Sequence, residues 1–178
     1  MRIQLAFSTL AAALLLTGCS LTHSNKSHKQ RLGGPADLAL QGKIDRDANS
    51  DSVIPFDVVV VSDKTLLKQI SQMDAATWFG AKGRCNYRGG TKAKVQFHSW
   101  EFVPGQTFLI DIPIPRGTKA VLGFADYSTA GDHRISLLTK GSQLVEMDKD
   151  GAHAVNEHSV RDPALTPAQE KRKVCPDD

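Results

Sequence analysis

The chain has 178 residues and a formal net charge of +3, which suits one domain with a real core. Aromatic residues make up only 6% of it and no Lys/Arg cluster is interleaved with them. That excludes a nucleic-acid surface built on stacking and basic patches.

Arg2 precedes an apolar run over residues 11–16, and small residues lead into Cys19. This is the charged start, short apolar stretch and cleavage point of a secretory signal. It is too short for a membrane-spanning helix with flanking anchors. The stretch Leu16-Thr17-Gly18-Cys19 resembles the lipobox of bacterial lipoproteins. The resemblance implies removal of the signal peptide 1–18, a diacylglycerol thioether on Cys19, and a further acyl chain such as palmitate on the new amine. Several acyl chains make a stable anchor, at about 0.8 kcal/mol per buried methylene. In the sorting pattern it resembles, aspartate after the cysteine favours the inner membrane. Ser20 stands there instead, so the expected address is the outer membrane, with the chain facing the periplasm.

Residues 19–35 are rich in Ser, Lys and His and end in Gly33-Gly34-Pro35. They lack the apolar surface to fold, so they read as a tether. Its His23 and His28 read as solvated side chains rather than metal ligands. Leu38, Leu40 and Ile44 then share one face of an alternating strand over residues 37–44. Residues 45–52 form a polar loop. Four consecutive valines mark residues 56–62 as a strand buried on both faces.

Asp63 is placed to cap a helix over residues 64–72, with Leu66, Leu67 and Ile70 on one face. Asp74 is placed to cap a second over residues 75–79, ended by Gly80 and Gly83. After a loop carrying Cys85, strands are predicted over residues 94–103, 107–112, 119–127, 135–138, 143–147 and 152–156. Pro104-Gly105 turns between the first two of these, and Pro113 and Pro115 close the second. Asp150-Gly151 reads as a hairpin turn. The tail from residue 161 is polar, and Thr166-Pro167-Ala168 signals a short helix running to Val174. The sum is a mainly β domain over residues 36–160 with a tail over 161–178. Its expected architecture is an antiparallel β-sandwich with a short helical insertion after the second strand.

Cys85 and Cys175 remain once Cys19 carries lipid, in an oxidising compartment. Pairing them closes a loop of roughly 90 residues, worth ~4–5 kcal/mol in the chain-entropy picture. Two free thiols, or pairing between chains, are the other readings.

Chemistry is sparse. Asp45, Asp47, Asn49 and Asp51 open like a calcium loop, but Ser50 stands where a glycine is needed and Phe56 where a bidentate glutamate is needed. Ser128, Asp132 and His133 are close in sequence, which is not triad geometry. No nucleophile elbow, zinc helix or phosphate loop occurs. Trp78 and Trp100 read as core residues. The expectation is a protein that is not an enzyme, with no cofactor, no metal, no nucleic acid and no small-molecule substrate.

The order of parts carries a resemblance. A lipobox, a tether, a strand, a polar loop and a Val-rich strand are followed by two short helices. Then come Val103-Pro104-Gly105-Gln106-Thr107, Val121-Leu122-Gly123-Phe124-Ala125-Asp126-Tyr127 and a strand bearing Arg134. Over roughly residues 36–147 this resembles the TssJ (SciN-like) outer-membrane lipoproteins of type VI secretion systems. His133 replaces the tryptophan usual before the arginine, and the two cysteines and the tail are additions. The resemblance implies a transthyretin-like sandwich. It also implies a lipoprotein that anchors the secretion membrane complex by binding the periplasmic region of an IcmF-type inner-membrane subunit. In the family that contact is made by the first inter-strand loop. Here the loop is Asp45, Arg46, Asp47, Ala48, Asn49, Ser50, Asp51, Ser52, Val53 and Ile54. Other readings are an assembly or pilotin-like lipoprotein of a different envelope machine, or a periplasmic ligand-binding module.

Overall fold

The computed structural model describes residues 36–81, 83–87, 94–158, 162, 164–165, 167–171 and 175. The predicted signal peptide, Cys19 and the tether lie outside these residues. Among those described, eight strands form two four-stranded sheets. They are β1 (Ala36–Ile44), β2 (Ile54–Val61), β3 (Val95–Phe102), β4 (Thr107–Ile114), β5 (Ala120–Ala125), β6 (Arg134–Leu137), β7 (Gly141–Met147) and β8 (Ala152–His158).

The first sheet has the order β4-β1-β7-β8 and the second β3-β2-β5-β6. Every pair is antiparallel except β1 with β7, which runs parallel from Leu38↔Gly141 to Ile44↔Met147. That one parallel ladder sits in an otherwise antiparallel pair of sheets. β1 has to sit between β4 and β7, and β7 arrives from the far sheet in the same direction. The β-sandwich itself is as expected, with its helical insertion after β2.

The alternation on β1 puts Leu38, Leu40 and Ile44 in the inter-sheet core, with Phe56, Val58 and Val60 of β2 and Phe108, Ile110 and Ile112 of β4. Gly42 shares that inward face because a Cβ there would lie 2.1 Å from the Phe108 ring. That ring stacks on Phe102 with centroids 4.3 Å apart. β4 runs through Pro113 to Ile114, past the predicted stop at Ile112. It is an edge strand, where a missing N–H breaks no ladder bond on the open side.

The outer face of the second sheet has its own core. Val59, Val61, Leu122 and Phe124 pack under α1 (Lys64–Ile70) and α2 (Ala75–Phe79), which contribute Ile70, Ala75 and Trp78. Asp63 caps α1 by accepting from the backbone N–H groups of Thr65 and Leu66, and Asp74 caps α2 by accepting from that of Thr77. The Leu66 N–H and the Lys94 ammonium hold the Asp63 carboxyl below the usual carboxylate range, and the Thr77 hydroxyl and N–H do the same for Asp74. The indole of Trp78 stacks on Phe124 at 4.9 Å.

One charge interrupts the apolar run of β2. Asp57 is fully buried. It accepts from Trp78 Nε1 at 2.9 Å and from Arg84 Nη1 at 3.1 Å to each oxygen. The guanidinium also lies 4.8 Å over the Phe79 ring. The insertion is thus fixed to β2 by a desolvated ion pair as well as by apolar packing.

The tail is not helical where it is described. Its described residues turn at Asp162 to Leu165, where the Leu165 N–H donates to the Asp162 carbonyl, and from Pro167 run along the sandwich as a belt. The Asp162 N–H donates to Gln41 Oε1, over the first sheet. Pro167 bridges Leu109, and the Ala168 N–H donates to the Leu109 carbonyl at 2.7 Å, at the β4 edge. The Lys171 N–H donates to the Ser99 carbonyl at 2.7 Å, at the β3 edge. Cys175 ends the path in a disulfide with Cys85, Cα atoms 5.7 Å apart. The helix expected from Thr166-Pro167-Ala168 loses to these long-range bonds, which claim the Ala168 and Lys171 amides a helix would need.

Candidate functional site: the loop end of the sandwich

The register places four connections at one end of the sandwich: residues 45–53, 103–106, 126–133 and 148–151. They are tied to one another by backbone bonds. The Gly105 N–H, in a residue with φ of +83°, donates to the carbonyls of Ile44 and Asp45. The Asp45 N–H donates to the Met147 carbonyl at 2.8 Å. The Tyr127 hydroxyl donates towards the carbonyls of Asp148 and Gly151, at 3.0 and 3.1 Å. Burial pushes the Tyr127 hydroxyl up, so it stays protonated and able to donate.

The first inter-strand loop holds an unusual backbone. Asn49, Ser50 and Asp51 have φ of +48°, +54° and +60°, three successive left-handed residues without a glycine. Each costs roughly 1–2 kcal/mol. Asn49 offsets part of this cost. Its Oδ1 accepts from the Ser128 N–H at 2.7 Å and from Ser128 Oγ at 2.9 Å, and its Nδ2 donates to the Val53 carbonyl at 3.2 Å. The loop is held in one shape by a side chain that is only 3% exposed.

This sorts the ten predicted contact residues. Arg46, Asp47, Ser50, Asp51, Ser52 and Val53 are exposed and Asp45 is half-buried. Ala48, Asn49 and Ile54, also expected at the contact, are buried and turn their side chains inward. Ala48 and Ile54 belong to the inter-sheet core, and the Asn49 amide is spent on Ser128 and Val53.

One surface residue was missed. Val53 and Val103 are the large hydrophobic side chains exposed among the described residues, at 48% and 49%. The register that pairs Ile54 with Phe102 sets them side by side just beyond the ladder. The Val103-Pro104-Gly105 turn was legible, but its neighbour across the ladder was not. Asp47, Asp51 and Arg46 lie on the same loop as Val53, and the four loops of this end together expose Asp47, Asp51, Asp132 and Asp150 against Arg46 and Lys149, an acidic surplus.

The polar residues that looked closest to a catalytic group are engaged separately. Ser128 Oγ donates to Asn49, Asp132 pairs with Arg134 at 2.8 Å, and His133 Nε2 lies 2.8 Å from the Thr129 carbonyl. Arg134 also donates to the Met73 carbonyl. It thereby links this end of the sandwich to the segment between the two helices. Among the described residues no three His, Cys, Asp or Glu side chains converge on one point.

No family model matches the sequence, and no curated protein matches it. Solved structures do. Lip of Serratia marcescens, described as a membrane-bound component of the type VI secretion system, superposes with a TM-score of 0.51 at 15% identity, over 69% of this chain and 99% of that one. A structure described as the C-terminal domain of the type VI protein TssM from EAEC gives 0.53 at 13% identity, over 68% and 99%. A type VI membrane complex gives 0.55 at 11% identity, over 68% and 98%.

The fold is shared with these type VI secretion structures. About two thirds of this chain covers each matched chain almost completely. At these identities the likeness is one of fold, carried by the sandwich.

Proposed function

We propose that this protein is the outer-membrane lipoprotein of a type VI secretion membrane complex. In this reading it is anchored through lipid on Cys19 and faces the periplasm. Its loop end binds the periplasmic region of an IcmF-type inner-membrane subunit. It acts by binding and not by catalysis.

The observation that carries the reading is the first inter-strand loop. It is strained, clamped by Asn49, and exposes Val53 beside Val103 at an end of the sandwich with a surplus of exposed acidic side chains. A rigid loop loses little conformational freedom on binding, so its contacts convert more fully into affinity. An apolar centre with a charged rim is the usual anatomy of a specific interface. The shared fold and the lipobox support the same conclusion.

Two experiments test it. Calorimetry of the mature protein against the partner's periplasmic region should show binding that weakens as salt rises, since the rim is charged. The triple variant Asp47→Ala/Asp51→Asn/Val53→Ala, in which asparagine removes the charge but tolerates the left-handed φ of residue 51, should bind at least about tenfold more weakly. It should keep its melting temperature, because changes at such surface positions are usually within about 0.5 kcal/mol each. Full affinity in the folded triple variant would move the interface elsewhere, and no binding by the unaltered protein would sink the proposal. Separately, Cys19→Ala should leave the chain unprocessed or soluble. Normal fractionation of that variant with the outer membrane would overturn the anchor.

A further inference from the structure

We propose that the Cys85–Cys175 disulfide is a redox latch on the belt. Its reduction releases the belt's described residues 162, 164–165 and 167–171 from the side of the sandwich and leaves the two sheets folded.

The described residues of the belt lie mostly at the surface. Ala164, Pro167, Gln169, Glu170 and Lys171 are exposed, and Leu165 and Ala168 are half-buried. Of the described belt residues only Cys175 is buried, at 7% exposure. Among the described residues, the inter-sheet core takes one partly buried side chain from the belt, Ala168, and the core under the helices takes none. The described part of the belt thus adds little to the apolar packing of the sandwich.

The seat beneath the belt is also incomplete. Three successive residues of β3 carry buried polar atoms with no hydrogen-bond partner among the described residues: His98 Nε2, Ser99 Oγ and Trp100 Nε1. All three lie where the belt crosses. His98 Nδ1 faces Glu170 at 2.9 Å, the Ser99 carbonyl accepts from Lys171, and Trp100 lines a cleft of about 640 Å³ with Phe102, Phe108 and Ala168. Buried polar atoms without partners favour any state that hydrates them. Among the described residues, opposing this are two backbone–backbone bonds, the bond from the Asp162 N–H to Gln41 Oε1, the exposed ion pair of Lys171 with Glu101, and the His98–Glu170 contact. Exposed pairs of this kind hold weakly. The covalent link decides the balance, because it keeps the belt at a high effective concentration over its seat.

The chemistry is thiol–disulfide exchange with a dithiol reductant. One reductant thiolate attacks a sulfur of the bridge, by way of Cys85, which is only half-buried. The other cysteine leaves as a thiolate and takes up a proton. The second reductant thiol then resolves the mixed disulfide. Two electrons pass to the protein, which gains two thiols, and the reductant becomes a disulfide. What opens is the β3–β4 side, with the carbonyls of Ser99 and Leu109 returned to solvent.

Amide hydrogen exchange on the full-length protein tests this, with and without dithiothreitol. In the oxidised protein the Ala168 and Lys171 amides should be protected. After reduction, and in Cys175→Ser, they should exchange at least about tenfold faster, with amides of β2 and β5 changing by less than about threefold. Lys171→Ala with the disulfide intact should keep the Ala168 amide protected, since the covalent link remains. Protection of Ala168 and Lys171 that survives reduction would overturn the latch. So would loss of protection in β2 and β5 together with the belt, because the disulfide would then be holding the whole fold.

Discussion

Arg84→Ala will destabilise the protein by about 3–5 kcal/mol in a urea titration, the range for breaking a buried ion pair from one side. The reason is Asp57. Its carboxylate is fully buried on β2 and has two partners, the Trp78 indole N–H and the Arg84 guanidinium. Alanine leaves a charge in the core under the helices with one neutral donor. The same substitution removes the cation over the Phe79 ring. Asp57→Asn combined with Arg84→Ala should recover much of the loss, because an amide needs no counter-charge. If the single variant unfolds at the same denaturant concentration as the unaltered protein, the pair contributes nothing and apolar packing alone holds the insertion.

Asn49→Ala is expected to cost about 2–3 kcal/mol and to weaken partner binding at the same time. Alanine lacks the three bonds to Ser128 and Val53. It also tolerates a φ of +48° less well than asparagine does. Two further variants separate these causes. Asn49→Gly relieves the backbone but not the lost bonds, so it should lie between alanine and the parent. Asn49→Asp keeps an acceptor for both Ser128 donors and should be the mildest. Equal stability of the alanine variant would show that the loop is held by its backbone ties to residues 103–106 and 148–151 instead. In the proposed function Asn49 would shape the contact, and Asp47, Asp51 and Val53 would make it.

Several features were legible from the residues because their physics is local. Asp63 and Asp74 cap helices through backbone N–H groups two or three positions away, so each cap could be read from spacing alone. The alternation of Leu38, Leu40 and Ile44 and the valine run of β2 specified which faces are buried, because a strand repeats every two residues. Asp150-Gly151 closes its hairpin through the Asp148 carboxylate, which accepts from both N–H groups.

What the residues alone determined is therefore the set of strands, the helical insertion after β2 and the sandwich class, all set by patterns that close within a few positions. The tertiary structure decided the rest. It made β1 run parallel to β7 and unwound the expected tail helix by giving the Ala168 and Lys171 amides to Leu109 and Ser99. It also turned Asn49 from a surface contact into a buried clamp on Ser128, 79 positions away, and brought Val53 beside Val103. Each of these depends on which strands become neighbours. Periodicity says which face a side chain takes, but sheet order says what it meets there.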